Sequence, residues 1–504
     1  MDGSTSRHTT TPARPTDPQS AEAPRLEGHL GTAGLVLTAL AFNAPLAMMA
    51  AFIPLMIGMG IGAGTPLVYA AIAALMLLFA VGVVTMARHM EKPGAFYTYI
   101  TAGIGRVAGL GAGFVALFCY VVIAAGSFVL SGLMTGELIH ALHGPNLPWW
   151  TWSIVSWSVC SALSLFNIDI STRVLGVCLV IEVVIVTVWD IAVFSDGGPQ
   201  GLGLDFTAQL GTGSLGFALL WGVACLLGFE SIQVFRAETR DPDRTVPRAT
   251  YMTVILLAGF YLVGSWAYLV AFGTDAAVAT ALDPTTSFLV SLEQYTGVVM
   301  RDLANILLVS SGIAALLAML NISSRYGFSL ARDGVLPAPL ARVHPRHHAP
   351  TRSAATVSGV VFVLMLAPAV LRLDPVKVYS SMVGLGNWGV LGLLVATSLS
   401  VILYFRRNPG LVNSRWKTTY APLLAMIGLL VVFYQATVNR DALMGGSMTV
   451  GTVAVGVVVA LAVGGMLYAR RLRTHKPEVY ARIGDQHVAE PPLPSHEGDT
   501  LDVR

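Results

Sequence analysis

Two carboxylates sit where carboxylates are costly. Glu182 lies in VLGVCLVIEVVIVTVWD and Glu230 in VACLLGFESIQVF, each inside an apolar run. An unpaired acid at the centre of a membrane helix costs about 2.5–3.5 kcal/mol on insertion scales, so such a residue is by default functional or held neutral. Glu182 stands about ten residues into its run, near a bilayer midplane at about 1.5 Å per residue. Protonated, it can hydrogen-bond the backbone of another helix; ionised, it can hold a cation. It is therefore a candidate proton-coupling group, the plainer alternative being a permanently protonated Glu that only bridges helices. Glu230 follows Leu227-Gly228-Phe229 and precedes Ser231, so an easily unwound residue stands two positions before a charge. A carboxylate there can cap a helix start by satisfying free N–H groups and the macrodipole. A compatible second role is neutralising a substrate amine or relaying a proton.

Side chains like these need elements that hold them at membrane depth. The chain has 504 residues, 55% hydrophobic and 12% charged, with a mean hydropathy of +0.69. Soluble domains carry about 25% charged residues, so the composition is that of an integral membrane protein. A helix of about 20 apolar residues crosses the hydrocarbon layer, and the hydropathy supports twelve such spans, centred near residues 46, 76, 120, 158, 182, 226, 260, 313, 362, 391, 428 and 458. Met1–Gly28, rich in Ser, Thr and Pro, is expected to be a disordered tail rather than a signal peptide, and residues 472–504 are expected to resemble it. Between them, residues 29–471 are expected to form one twelve-helix membrane domain.

Lys and Arg accumulate in cytoplasmic loops. With twelve spans, only Arg301, Arg372, Lys377 and Arg440 fall outside and 26 of the 30 cations fall inside, which places both termini in the cytoplasm. A missed helix would mix the two groups. The balanced net charge of +2 gives no nucleic-acid surface. Cys119, Cys160, Cys178 and Cys225 all fall within spans and are expected to pack rather than pair. Asp190, near the outer end of span five, is expected to be wetted. His344, His347 and His348 lie in a basic loop without Cys or carboxylate at zinc spacing, so no metal site is expected. No cofactor, nucleophile elbow or phosphate loop is indicated, and no His pair at membrane level supports a polytopic enzyme.

Lipid admits broken helix only where protein or a cavity covers it. The first span carries Asn43-Ala44-Pro45-Leu46 in mid-membrane, where Pro removes a backbone donor, and the sixth carries Leu227-Gly228-Phe229-Glu230-Ser231. GTAGL at Gly31 and GSLGF at Gly213 open these two spans at similar distances from the breaks. Together the two interruptions suggest an inverted repeat with equivalent discontinuous helices.

Three stretches resemble signatures of the amino acid-polyamine-organocation (APC) transporter superfamily: ARHMEKPGAFYTYITAGIGRVAGLGAGF at 87–114, GFESIQVFRAETRDPDRTVPRAT at 228–250 and SSRYGFSLARDGVLPAPLARVHPRHHAPTRSA at 323–354. The resemblance covers roughly residues 30–470. It implies an all-α, twelve-helix membrane fold with a 5+5 inverted repeat: repeat one over 32–194, repeat two over 213–405, and two further helices over 418–470. Substrate would bind at the two breaks, on Asn43, Ala44, Pro45, Leu46, Leu227, Gly228, Phe229, Glu230 and Ser231. Helix N-termini there suit a carboxylate and C-terminal carbonyls an ammonium.

The resemblance also puts Glu182 where proton-coupled relatives carry a Lys, Ser310 and Ser311 at the depth of the ion-coupling pocket, and Phe42 and Phe229 at gating positions. Asn387 and Trp388 would stand beside the cavity. The first break departs from the Gly-Ser-Gly type of many relatives, because Pro45 has no N–H to offer. The expected function is secondary transport of an amino acid or related amine, coupled to protons, within a lipid membrane. An amine or polyamine exchanger and a non-transporting sensor are the rivals.

Overall fold

The computed structural model describes residues 31–90, 96–165, 172–207, 209, 213–229, 232, 239, 241–283, 286–342, 350–443 and 447–484. The described chain is helical throughout. In chain order, α1 (Thr32–Asn43) is followed after Ala44 by consecutive helical segments Pro45–Ala47, Met48–Phe52, Ile53–Leu55 and Met56–Ile61, together α2, which alternate α and wider π geometry. Then come α3 (Thr65–Ala87), the short α4 (Phe96–Gly103), α5 (Arg106–Ala141), α6 (Trp149–Leu165), α7 (Thr172–Asp196) and α8 (Leu215–Leu226). The second half holds α9 (Pro242–Phe272), α10 (Thr274–Thr280), α11 (Ser287–Thr296), α12 (Val298–Arg332), α13 (Thr351–Val370), α14 (Pro375–Arg407), α15 (Ala421–Val438), α16 (Met448–His475) and α17 (Pro477–Arg482).

Among the described residues, nine helical runs are long and apolar enough to cross a membrane. They make this a multi-pass membrane protein. The run Pro45–Ala87 counts as one of the nine, although Gly62, at φ 55°, turns the chain within it. The apolar α8 has only 12 residues.

Helices approach closely where side chains are small. α5 and α14 cross with Gly386 near the Cys119 carbonyl, which lies 2.9 Å from where a Cβ would stand. In lipid, close packing of this kind replaces the hydrophobic drive that assembles soluble bundles. One extended apolar core results, with Tyr69, Trp189, Trp221, Tyr261, Phe288 and Tyr379 among its largest fully buried side chains.

The end of the chain departs from the sequence expectation. Residues 472–475 continue α16, and α17 forms a further turn and a half, so the segment up to Gly484 is ordered helix and turn instead of tail. Residues 1–30 and 485–504, the rest of the two expected tails, lie outside the described residues.

Candidate substrate and coupling site

The first expected interruption is present. Ala44 adopts the left-handed conformation (φ 45°, ψ 71°) between α1 and α2. The local sequence explains the position, since a residue before Pro is pushed out of the right-handed helical region and Pro at the first helical position needs no donor. Asn43, 4% exposed, turns its amide back onto the Ala39 carbonyl at 3.2 Å. Beyond Pro45, the free N–H groups at the start of α2 begin with Leu46.

Glu182 occupies that start. Its Oε2 accepts a hydrogen bond from Leu46 N at 3.3 Å, joining α7 to the break across 136 residues of sequence. The side chain is 1% exposed. Ser311 of α12, itself buried, lies within electrostatic reach of the same carboxyl. Ser310, one residue earlier, is exposed and donates to the Leu307 carbonyl at 3.2 Å. Neighbouring residues on a helix point about 100° apart, so the geometry brings Ser311 to the site and not Ser310.

The second interruption follows α8. Leu227 is extended (φ −65°, ψ 158°) and Gly228 has φ 106°, a conformation that L side chains rarely adopt and that glycine reaches without steric cost. The last carbonyls of α8 therefore end at the break. Phe229 is 1% exposed and packs edge-on against Phe79 of α3 at 6.1 Å. Glu230 and Ser231 lie outside the described residues, as does the Phe42 side chain. Trp388 stacks on Phe433 at 4.7 Å and donates to Thr437 Oγ1 at 2.9 Å, so it joins α14 to α15. Asn387 is buried in α14.

Several polar groups near the breaks escaped the sequence reading. Cys225, two residues before the α8 break, accepts from the Tyr69 hydroxyl at 3.3 Å. The Tyr69 ring lies 5.6 Å from that of Tyr261, and Tyr261 is within electrostatic reach of both Cys225 and Glu182. One helical turn or more before the break, Trp221 contacts Phe52 of α2 at 4.5 Å and Tyr379 of α14 at 5.9 Å. Among the described residues, Tyr261 OH, Tyr379 OH and Trp221 Nε1 are buried without a partner. Buried donors left unpaired are uncommon and call for an explanation. An aromatic within an apolar run reads as packing, so only the coordinates reveal them.

Asp190 is buried too, at 7% exposed, with Oδ1 unpartnered among the described residues, instead of wetted. All four cysteines are free, as expected.

The arrangement brings a carboxyl and the polar start of a half-helix together inside an apolar core, with the buried Ser311 hydroxyl within reach. Comparisons with known proteins give the family. The family profile described as "Amino acid permease" matches residues 34–463. An uncharacterized transporter from Mycobacterium tuberculosis is 26% identical over 427 residues, covering 80% of this chain and 88% of its own. The aromatic amino acid transport protein AroP of Escherichia coli K12 is 25% identical over 271 residues (51% of this chain, 57% of its own). The branched-chain amino acid permease BcaP of Lactococcus lactis is 26% identical over 237 residues (44% and 47%). With a family match that spans most of its length, the chain belongs to the amino acid permeases of the APC superfamily.

Proposed function

We propose that this permease is a secondary active transporter that carries an amino acid across the cytoplasmic membrane by alternating access, with Glu182 as the proton-coupling group. The observation that carries the reading is the Leu46 N to Glu182 Oε2 bond at 3.3 Å. It ties an ionisable side chain to the backbone of the interrupted helix, so a change in its protonation changes what holds the break together. Protonated and neutral, the carboxyl loosens its grip on the positive end of α2; ionised, it caps that end. The names of AroP and BcaP support an amino acid as the substrate class. Twelve spans, a 5+5 inverted repeat and cytoplasmic termini complete the reading; each of the twelve centres falls within a described helix.

A related amine is the second candidate. Pro45 offers no N–H, and Leu46 N is already engaged by Glu182, so this break has less to give a substrate carboxylate than a glycine-rich one.

The test is uptake into proteoliposomes from a panel of radiolabelled amino acids and amines at pH 5.5 and 7.5, with and without an imposed proton gradient, for the wild type and Glu182→Gln. Uptake driven by the gradient in the wild type and indifferent to it in the variant is the expected result. Gradient-driven uptake that survives the substitution would remove Glu182 from the coupling role, and binding without flux would make the protein a sensor.

A further inference from the structure

α17 is short, its sequence KPEVYARIG has no membrane-spanning character, and yet it is seated on the body of the protein. Ile483, just past the helix, is 1% exposed and belongs to an apolar cluster with Leu110 of α5, Leu330 of α12, Val335, and Ala469 and Leu472 of α16. Gly484, at φ 75°, turns the backbone so that its N–H reaches Asp333 Oδ2 at 3.1 Å. The Tyr480 ring receives the Arg106 guanidinium at 5.9 Å. Val479 lies against Gly334 and Gly484 lies against Thr101 of α4.

The surface that receives this segment is built from regions far apart in sequence: α4 with the adjoining start of α5, the turn Asp333–Val335 that follows α12, and the end of α16. The turn is the ARDGVLP part of the third signature stretch. α4 is also held from its other side, where Arg407 of α14 donates to the Gly103 carbonyl at 2.7 Å. The docked segment thus adds a second link between α4 and the end of α12, which already meet where the Tyr97 and Tyr326 rings lie 6.4 Å apart.

We propose that residues 476–484 form a strap, an intramolecular partner whose docking on the α4–α5–Asp333 surface slows the conformational cycle. The contact joins one fully buried apolar side chain, the packing of Val479, Tyr480 and Gly484, one hydrogen bond and one ring–cation contact, a set small enough to open and close reversibly. Docked, it pins α4 to the α12 turn. Released, it leaves both free to shift when the transporter changes the side it opens to. No part of the substrate site touches it, so release alters rate and leaves substrate affinity alone.

This inference rests on the transport reading and is tested separately from it. Two variants are compared with wild type in proteoliposomes: a chain ending at Lys476, and the full chain carrying Tyr480→Ala with Ile483→Ala. Both are expected to raise the maximal uptake rate about fivefold, the factor that about 1 kcal/mol of lost docking contact carries, with KM unchanged. Docking is also expected to hold the chain around the exposed Arg482 in a folded turn that trypsin cuts slowly in the wild type, and the double variant to be cut there faster. Faster cutting at Arg482 with a wild-type rate, or a rate that falls in the double variant, overturns the strap. Should the shortened chain fail to purify, the double variant decides alone. Absence of flux in every protein, wild type included, would instead refute the transport reading.

Discussion

At the residue scale, the break in the first membrane helix depends on one alanine in a conformation that disfavours alanine. The left-handed region costs an L-residue roughly 1–2 kcal/mol, and Ala44 sits there at φ 45°. Ala44→Gly is therefore expected to raise thermal stability by about 1 kcal/mol, and Ala44→Val to lower it by more, since β-branched residues tolerate this region least. Differential scanning fluorimetry of the purified variants measures both. Tyr261→Phe probes the unpartnered hydroxyl beside Glu182. Removing a donor that bonds nothing in the resting fold should leave stability within about 0.5 kcal/mol, while uptake falls if substrate or water uses the group; thermal unfolding and initial rates read on one preparation separate the two. Glu182 was legible in the sequence because an acid in an apolar run has few explanations. The choice between Ser310 and Ser311 was not, because helical facing is a matter of register against α7 that no local pattern reveals.

At the element scale, the two interruptions were legible for the same reason that they exist. Pro45 and Gly228 are residues whose backbone requirements a straight helix does not meet, and in lipid such a fault survives only when something covers it. What covers the first fault is another helix's side chain, and the sequence alone could not pair residues 136 apart. α17 was illegible on both counts: it is too short to show periodicity and its partners come from the middle of the chain. Helix crossings yield a prediction of their own. The α5–α14 crossing leaves no room at Gly386, whereas Gly312 of α12 has open space where a Cβ would go. Gly386→Leu is expected to cost several kcal/mol and to abolish monodisperse expression, and Gly312→Ala to leave both stability and transport near wild type; size-exclusion profiles of detergent extracts distinguish them.

At the scale of the whole molecule, the distribution of Lys and Arg is what supports the orientation proposed above. Cysteines introduced at Lys377, before the apolar core of α14, and at Lys417, before α15, lie at opposite ends of consecutive membrane passages. Lys377→Cys should react with a membrane-impermeant maleimide on intact cells and Lys417→Cys only after permeabilisation. The reverse labelling would invert the topology.

The carboxyl at the start of α2 has a wider consequence for the kind of flux the protein can sustain. A carrier whose empty pocket leaves bare amide groups in oil is penalised when it returns unloaded, and tends to trade one solute for another. On the transport reading proposed above, Glu182 would stand in for the cargo's anionic group, and the vacant form would cross back at little cost. Net accumulation from an empty compartment, and not obligatory one-for-one trade, is what such a design favours, and counterflow compared with uptake into solute-free vesicles would tell them apart.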